Sequence, residues 1–217
     1  IEGTEVMRAF SPAQPPSNRT AVIMGGETST IPFRDTLVVP FGESNSGGFA
    51  ANADAASWEI GSRSELQMWN VNTSVFESLD IGTNNNLDHA ALNSTTHGWE
   101  LGLANRIKQG QLGDNDWYYV QTGQGGSKIS DWADGGSYWT KFVSRVTAAK
   151  SAMPGEYNAA VWISLGINNA IESTPISAAA YRSGMEEIIA RIKTELPSCE
   201  IFILTLPAVN SVYTSYS

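Results

Sequence analysis

Four short apolar runs constrain this chain more than any other feature: Thr36–Phe41 (TLVVPF), Asp116–Val120 (DWYYV), Ala159–Leu165 (AAVWISL) and Cys199–Leu206 (CEIFILTL). Runs with so little polar alternation belong to strands buried on both faces. Between them the apolar spacing lengthens to a helical period. Trp99, Leu103 and Ile107 recur at i, i+4 and i+8 within His97–Lys108, and Trp139, Phe142, Val143 and Val146 share a second face. Tyr181, Met185, Ile188, Ile192 and Leu196 line a third, with Thr174 as its expected cap and Pro175 in its first turn. Such alternation implies parallel strands joined by right-handed crossovers, with helices on both sides of one sheet. The expected fold class is therefore α/β. Pro40 lies inside the first run, which is unusual for a central strand and blurs its boundary.

The remaining segments fit around that frame. Residues 1–35, rich in Pro, Ser and Thr, read as an extended lead-in to a single domain over 36–217. The polar stretch 46–96 carries Trp58, Met68, Trp69 and Phe76. It is too long for a structureless loop in a compact domain, so short elements are expected within it. No internal repeat is evident.

With 217 residues the chain can bury a sizeable core without staples. Its net charge of −9 and pI near 4.7 repel nucleic-acid phosphates and anionic head groups, so neither nucleic acid nor membrane is an expected partner. The apolar stretches are too short to span a bilayer. Cys199, the only cysteine, permits no internal disulfide, and no Cys/His group has zinc spacing. No metal or cofactor is expected. The start at Ile1, without an initiator Met or signal peptide, suggests a processed protein or an excised fragment.

In open parallel sheets, ligands bind beyond the carboxyl ends of the strands. Three of the four runs end there in small polar segments: Gly42-Glu43-Ser44-Asn45-Ser46-Gly47-Gly48, Gly123-Gln124-Gly125-Gly126-Ser127 and Gly166-Ile167-Asn168-Asn169. Each alone could be a tight turn. Three at corresponding strand ends point to a site.

These segments resemble the blocks of the SGNH (GDSL-like) hydrolase superfamily. Gly-Glu-Ser44-Asn is similar to the first block, which reads Gly-Gln-Ser-Asn in the sialate O-acetylesterase and acetyl-xylan-esterase branch. Gly125-Gly126-Ser127 with downstream Ile129 and Trp132 resembles the second, and Gly166-x-Asn168-Asn169 the third. The resemblance, from about Thr36 to Pro207, implies a flavodoxin-like three-layer α/β/α fold with a parallel sheet, usually of five strands. It implies Ser44 as nucleophile, with its own N–H and that of Gly126 as oxyanion donors and the Asn168 side-chain amide as a third. Glu43, Asn45, Gly125, Ser127 and Asn169 are the expected substrate-binding neighbours. Glu43 stands where Asp or Gln is usual, and Asn169 where Asp is usual.

The general base of that superfamily lies in an Asp-x-x-His block near the C-terminus, and no such block occurs in residues 1–217. A serine without a base stays protonated and is a poor nucleophile. Three explanations are open: a C-terminally incomplete sequence lacking a last strand and helix, a histidine supplied by a downstream segment or second chain, or a non-catalytic protein. The two histidines present match no family motif. His89 reads as a surface residue of a polar loop and His97 as structural or capping.

The resemblance implies a serine ester hydrolase removing O-acetyl groups from carbohydrate through an acyl-enzyme, without cofactor, acting outside the cell. Abundant Trp, Tyr and Asn around the segments suit glycan contact, although core packing explains most Trp equally well. The competing expectation is a catalytically inactive glycan-binding module of a larger surface or phage-tail assembly. A nucleotide-binding domain ranks low, because the Gly-rich segments match no phosphate-binding pattern. A glycosidase would need two carboxylates flanking the bond, and no feature of the sequence requires that.

Overall fold

A computed structural model describes residues 34–86, 94–171 and 176–204; His89, Thr174, Pro175, Thr205 and Leu206, and all but the last two residues of the lead-in, lie outside them. Strand β1, Asp35–Gly42, is the apolar run TLVVPF with one residue added at each end, and every residue from Thr36 to Gly42 is buried. It lies inside the sheet, parallel to β6 (Trp117–Tyr119) on one side and to β7 (Tyr157–Ser164) on the other. Beyond β7 comes β8, Glu200–Ile203, also parallel.

Pro40 occupies this central strand at little cost. The even-numbered residues of β1 face β6, since Val38 accepts from Val120 N–H and Thr36 donates to Asp116. The β6 pairing ends before Pro40, so its absent N–H leaves no ladder bond unmade. Its carbonyl instead accepts the Thr122 hydroxyl.

The polar stretch holds more sheet than its composition suggests. Strands β3 (Gly61–Asn70) and β4 (Val75–Ile81) form an antiparallel hairpin with a register shift between Arg63 and Gln67. β3 then pairs parallel to β6, giving the six-stranded order β4-β3-β6-β1-β7-β8 among the described residues. The expectation of an all-parallel sheet with four strands here is thus corrected: the sheet is mixed, with an antiparallel edge. Asn70, Asn72 and Thr73 make a side-chain-bonded turn between the two strands, where the Asn70 carboxamide oxygen accepts both following N–H groups.

Helices cover both faces. Leu37, Val39 and Phe41 point to one side, against Trp139, Phe142 and Val146 of α3 (Ser137–Ala152) and Met185, Ile188 and Ile192 of α5 (Ala178–Glu195). Val38, Leu66, Met68, Leu79 and Tyr119 face the other side, against Leu101, Leu103 and Ala104 of α2 (Trp99–Lys108). This is the three-layer α/β/α arrangement. Two helix starts differ from expectation. α5 begins at Ala178 because Ser177 caps it, its hydroxyl accepting Ala180 N–H at 3.1 Å. His97 precedes α2 and belongs to β5 (Thr96–His97), a two-residue bridge to β2 (Ala50–Ala51).

Candidate active site

Because β1 lies between β6 and β7, the three polar segments emerge side by side with the Ser44 segment in the middle. Gly42 ends β1 with φ +122°, and a Cβ there would collide with the Ser164 carbonyl, so only glycine lets the chain leave the strand this way. The chain then makes a single helical turn, α1 (Ser44–Gly47), in which Ser46 and Gly47 N–H both bond the Glu43 carbonyl at 2.9 Å. The turn is pinned from beneath. Ser46 Oγ donates to Phe41 O at 2.8 Å, and Gly47 O accepts from Asn86 Nδ2 at 2.7 Å and Gln121 Nε2 at 3.3 Å.

Ser44 opens this turn, half-buried, and its hydroxyl makes no hydrogen bond among the described residues. The first N–H of such a turn has no intrahelical acceptor, so that of Ser44 is available to a ligand oxygen. Asn45 is exposed on the same turn.

Glu43 joins the first segment to the third. Its side chain is 0 % exposed, yet both carboxylate oxygens are hydrogen-bonded. Oε1 accepts Ile167 N–H at 3.1 Å; Oε2 accepts Asn168 N–H at 3.1 Å and the Asn168 amide at 2.6 Å. These donors open the short helix α4, Ile167–Ala170. Burial pushes the carboxyl above its ordinary range, and the bonds from Asn168 and Ile167 pull it back.

Asn168 therefore lies in the site with its amide in use. Besides Glu43, Nδ2 donates to Ser127 O at 3.0 Å, so both amide hydrogens tie the third segment to its neighbours. Asn169, 2 % exposed, accepts Ile129 N–H at 3.0 Å. Ser127, 1 % exposed, donates to Gly42 O at 3.3 Å and accepts Trp132 Nε1–H at 3.1 Å. Of the expected substrate-binding neighbours, Glu43, Ser127 and Asn169 are buried, and their side-chain oxygens bond neighbouring groups of the site segments and of the 129–132 turn. Ser44, Asn45, Gly125, Gly126 and Asn168 reach the surface.

The second segment is fixed by Gln124 N–H, which bonds Gly42 O at 2.8 Å. Gly126 is exposed, with φ +75° and open space where a Cβ would stand. Its backbone conformation, rather than close approach of a neighbour, is what calls for glycine. Gly125 is the crowded one, because a Cβ there would meet the Phe49 ring at 2.8 Å. The Trp residues expected to suit a glycan are mostly core: Trp69, Trp132 and Trp139 are buried, and Trp132 packs on Phe41 with ring centroids 4.1 Å apart.

His97 lies on the strand bridge behind the Ser44 turn, its backbone beside Gly48. Its Nδ1 lies 3.1 Å from Asn52 Oδ1, and burial holds its pKa below the usual value against the pull of Glu59 and Asp54. Behind the Ser44 turn, Gly48 and Gly98 pack so closely that a Cβ on Gly98 would lie 2.6 Å from Gly48 Cα. Glu100, 1 % exposed, stands there with Oε1 accepting Gly98 N–H at 2.6 Å. Neither Glu100 nor the hub role of Glu43 was visible from the sequence; the only signal for Glu43 was its departure from Asp or Gln at a motif position. Among the described residues, no group of three or more His, Cys, Asp or Glu could hold a metal ion, and no helix is long and apolar enough to cross a membrane.

Comparison with known proteins bears on this arrangement. The chain is similar in structure to a protein from Arabidopsis thaliana, at 17% sequence identity and a TM-score of 0.60, over 84% of this chain and 79% of that one. It is also similar to NanS, at 13% identity and a TM-score of 0.54, over 78% of this chain and 67% of that one. At these identities the likeness concerns the fold. No curated protein sequence matches. The family described as carbohydrate esterase, sialic acid-specific acetylesterase matches residues 36–214, which takes in all three site segments. With the three strand ends gathered around Ser44 and that match covering residues 36–214, the chain belongs to the carbohydrate esterase family of sialic acid-specific acetylesterases.

Proposed function

We propose that this chain hydrolyses O-acetyl esters of carbohydrates through an acyl-enzyme on Ser44. The observation that carries the reading is the position of Ser44, half-buried on the turn that ends the central strand, between the strand ends bearing Gly126 and Asn168. Ser44 Oγ attacks the acetyl carbonyl carbon as a base takes its proton, and the negative charge moves to the carbonyl oxygen. The N–H groups of Ser44 and Gly126 receive that oxyanion. Asn168 contributes a third donor when its amide releases the longer of its two bonds, that to Ser127 O. Collapse expels the sugar hydroxyl with the proton returned from the base. Water, losing a proton to the same base, then attacks the acetyl carbon; the bond to Ser44 Oγ breaks, the base returns the proton to Oγ, and acetate leaves. Each oxyanion donor is worth about 3 kcal/mol in the transition state.

The base in this reading is a histidine other than His97, whose ring is turned to Asn52. His89, or a histidine supplied by a further segment or second chain, takes that part. A glycan substrate goes with an extracellular location.

The test is acetate release from O-acetylated sialic acid and from acetylated xylan by the wild-type chain and Ser44→Ala. Turnover that falls at least about 1,000-fold in the variant is expected for a lost nucleophile. Equal turnover by both would overturn the assignment. Sugar binding without acetate release would favour a glycan-binding module instead.

A further inference from the structure

Phe49 follows the Ser44 turn and belongs to neither core cluster, and 41% of it is exposed. Its ring lies across two glycines from different strand ends. A Cβ on Gly47 would come within 2.9 Å of ring carbon Cε2, and one on Gly125 within 2.8 Å of Cζ. Gly47 and Gly125 are absent from the glycines with positive φ, so their backbone would accept other residues. What excludes a side chain at both is the ring. The aromatic face is thus seated between the turn that bears Ser44 and the residue preceding Gly126, at the surface.

A large, partly exposed apolar ring that lies against two glycines of different strand ends, beside a site, is placed to meet a ligand entering it. Two parts of an acetylated sugar could meet it. The acetyl methyl is one small group and gains little from a broad flat face. A pyranose ring presents a face of C–H groups with hydroxyls around its edge, which suits a flat apolar surface with polar surroundings.

We propose that Phe49 is the platform on which the sugar ring of the ester rests, so that it sets the preference for carbohydrate esters over simple ones. The inference rests on the esterase reading of Ser44. The ring touches the leaving alcohol and stays clear of the acetyl group. Its loss therefore raises KM for sugar esters and leaves kcat largely in place.

The experiment compares wild type, Phe49→Ala and Phe49→Trp on a mono-O-acetylated methyl hexopyranoside and on ethyl acetate, whose leaving alcohol has no ring. Saturation-transfer NMR with the unacetylated methyl glycoside follows binding independently of turnover, and thermal unfolding verifies the fold of each variant. Phe49→Ala is expected to lower the ratio of kcat/KM for the sugar ester over ethyl acetate by about five- to ten-fold, mainly through KM, and to weaken the NMR response. Phe49→Trp should restore both. An unchanged ratio in a folded Phe49→Ala variant, with its glycoside response intact, would overturn the platform while leaving Ser44 as nucleophile. A wild-type chain that hydrolyses neither ester and gives no glycoside response would remove the esterase reading and the platform together.

Discussion

Two buried glutamates bracket the Ser44 turn, and their surroundings treat the charge differently. Glu43, 0 % exposed, has N–H donors on both oxygens, three in all, which oppose the upward push of burial on its pKa. Glu100, on the opposite side behind Gly48, has a strong bond to one oxygen only. Gly98 N–H meets Oε1 at 2.6 Å with Asn85 Nδ2 at 3.4 Å, whereas Oε2 is buried with no hydrogen-bond partner among the described residues. The Tyr119 hydroxyl lies beside that carboxyl; burial and then the neighbouring Glu100 push its pKa up, whereas Tyr119 acts to lower that of Glu100. Burial pushes Glu100 up to about 7 despite the N–H bonds that oppose it. The contrast separates a carboxylate built into the site as a fastener from a carboxyl that the fold keeps near its protonated form.

The largest effect should come from unfastening Glu43. Glu43→Ala would leave three buried donors without an acceptor and cost about 3–5 kcal/mol in urea unfolding, with loss of Ser44 reactivity. Glu43→Gln, which keeps one acceptor and turns an NH₂ toward the Ile167 N–H, should cost less, about 1–3 kcal/mol. Equal, negligible losses in both variants would refute the fastener role.

Glu100 should reveal itself through pH. Its folded pKa of about 7 lies above the ordinary 4.5, so the folded state holds more protons than the unfolded one between those values. Stability contributed by the protonated group is complete below about pH 4.5 and lost as pH rises through about 7, by up to about 3 kcal/mol. Glu100→Gln should flatten that slope in a pH series of unfolding measurements. An identical slope in the variant would contradict the assignment.

The smallest effect should be at His97. Its ring is engaged with Asn52, so His97→Ala should change stability by no more than about 0.5 kcal/mol and leave serine labelling within about two-fold of wild type. Abolished labelling would make His97 the base after all.

Strands β1, β7 and β8 and the helix faces were legible in the sequence because unbroken apolar runs and helical spacing are local signals of burial. The β3–β4 hairpin was not. Its burial alternates, with Arg63 buried on β3 through bonds to Asn105 at 2.8 Å and Glu65 at 2.7 Å, so polar residues hide the strand pattern. The motif positions picked out Ser44, Gly126 and Asn168, which the fold brings to adjacent strand ends, but not which neighbours face outward. Ser127 and Asn169 look like ligand-binding residues in the sequence, and only the packing of Trp132 and Ile129 against them shows that their side-chain oxygens already accept hydrogen bonds. Phe49 escaped notice because its significance lies in two glycines distant from each other in the chain.

The central claim is that Ser44 is an activated nucleophile, and fluorophosphonate labelling with intact-mass measurement and peptide mapping tests it most directly. Labelling confined to the peptide containing Ser44, and absent in Ser44→Ala, is the predicted result. A folded wild-type chain that takes up no label, or takes it up at another serine, would contradict the account.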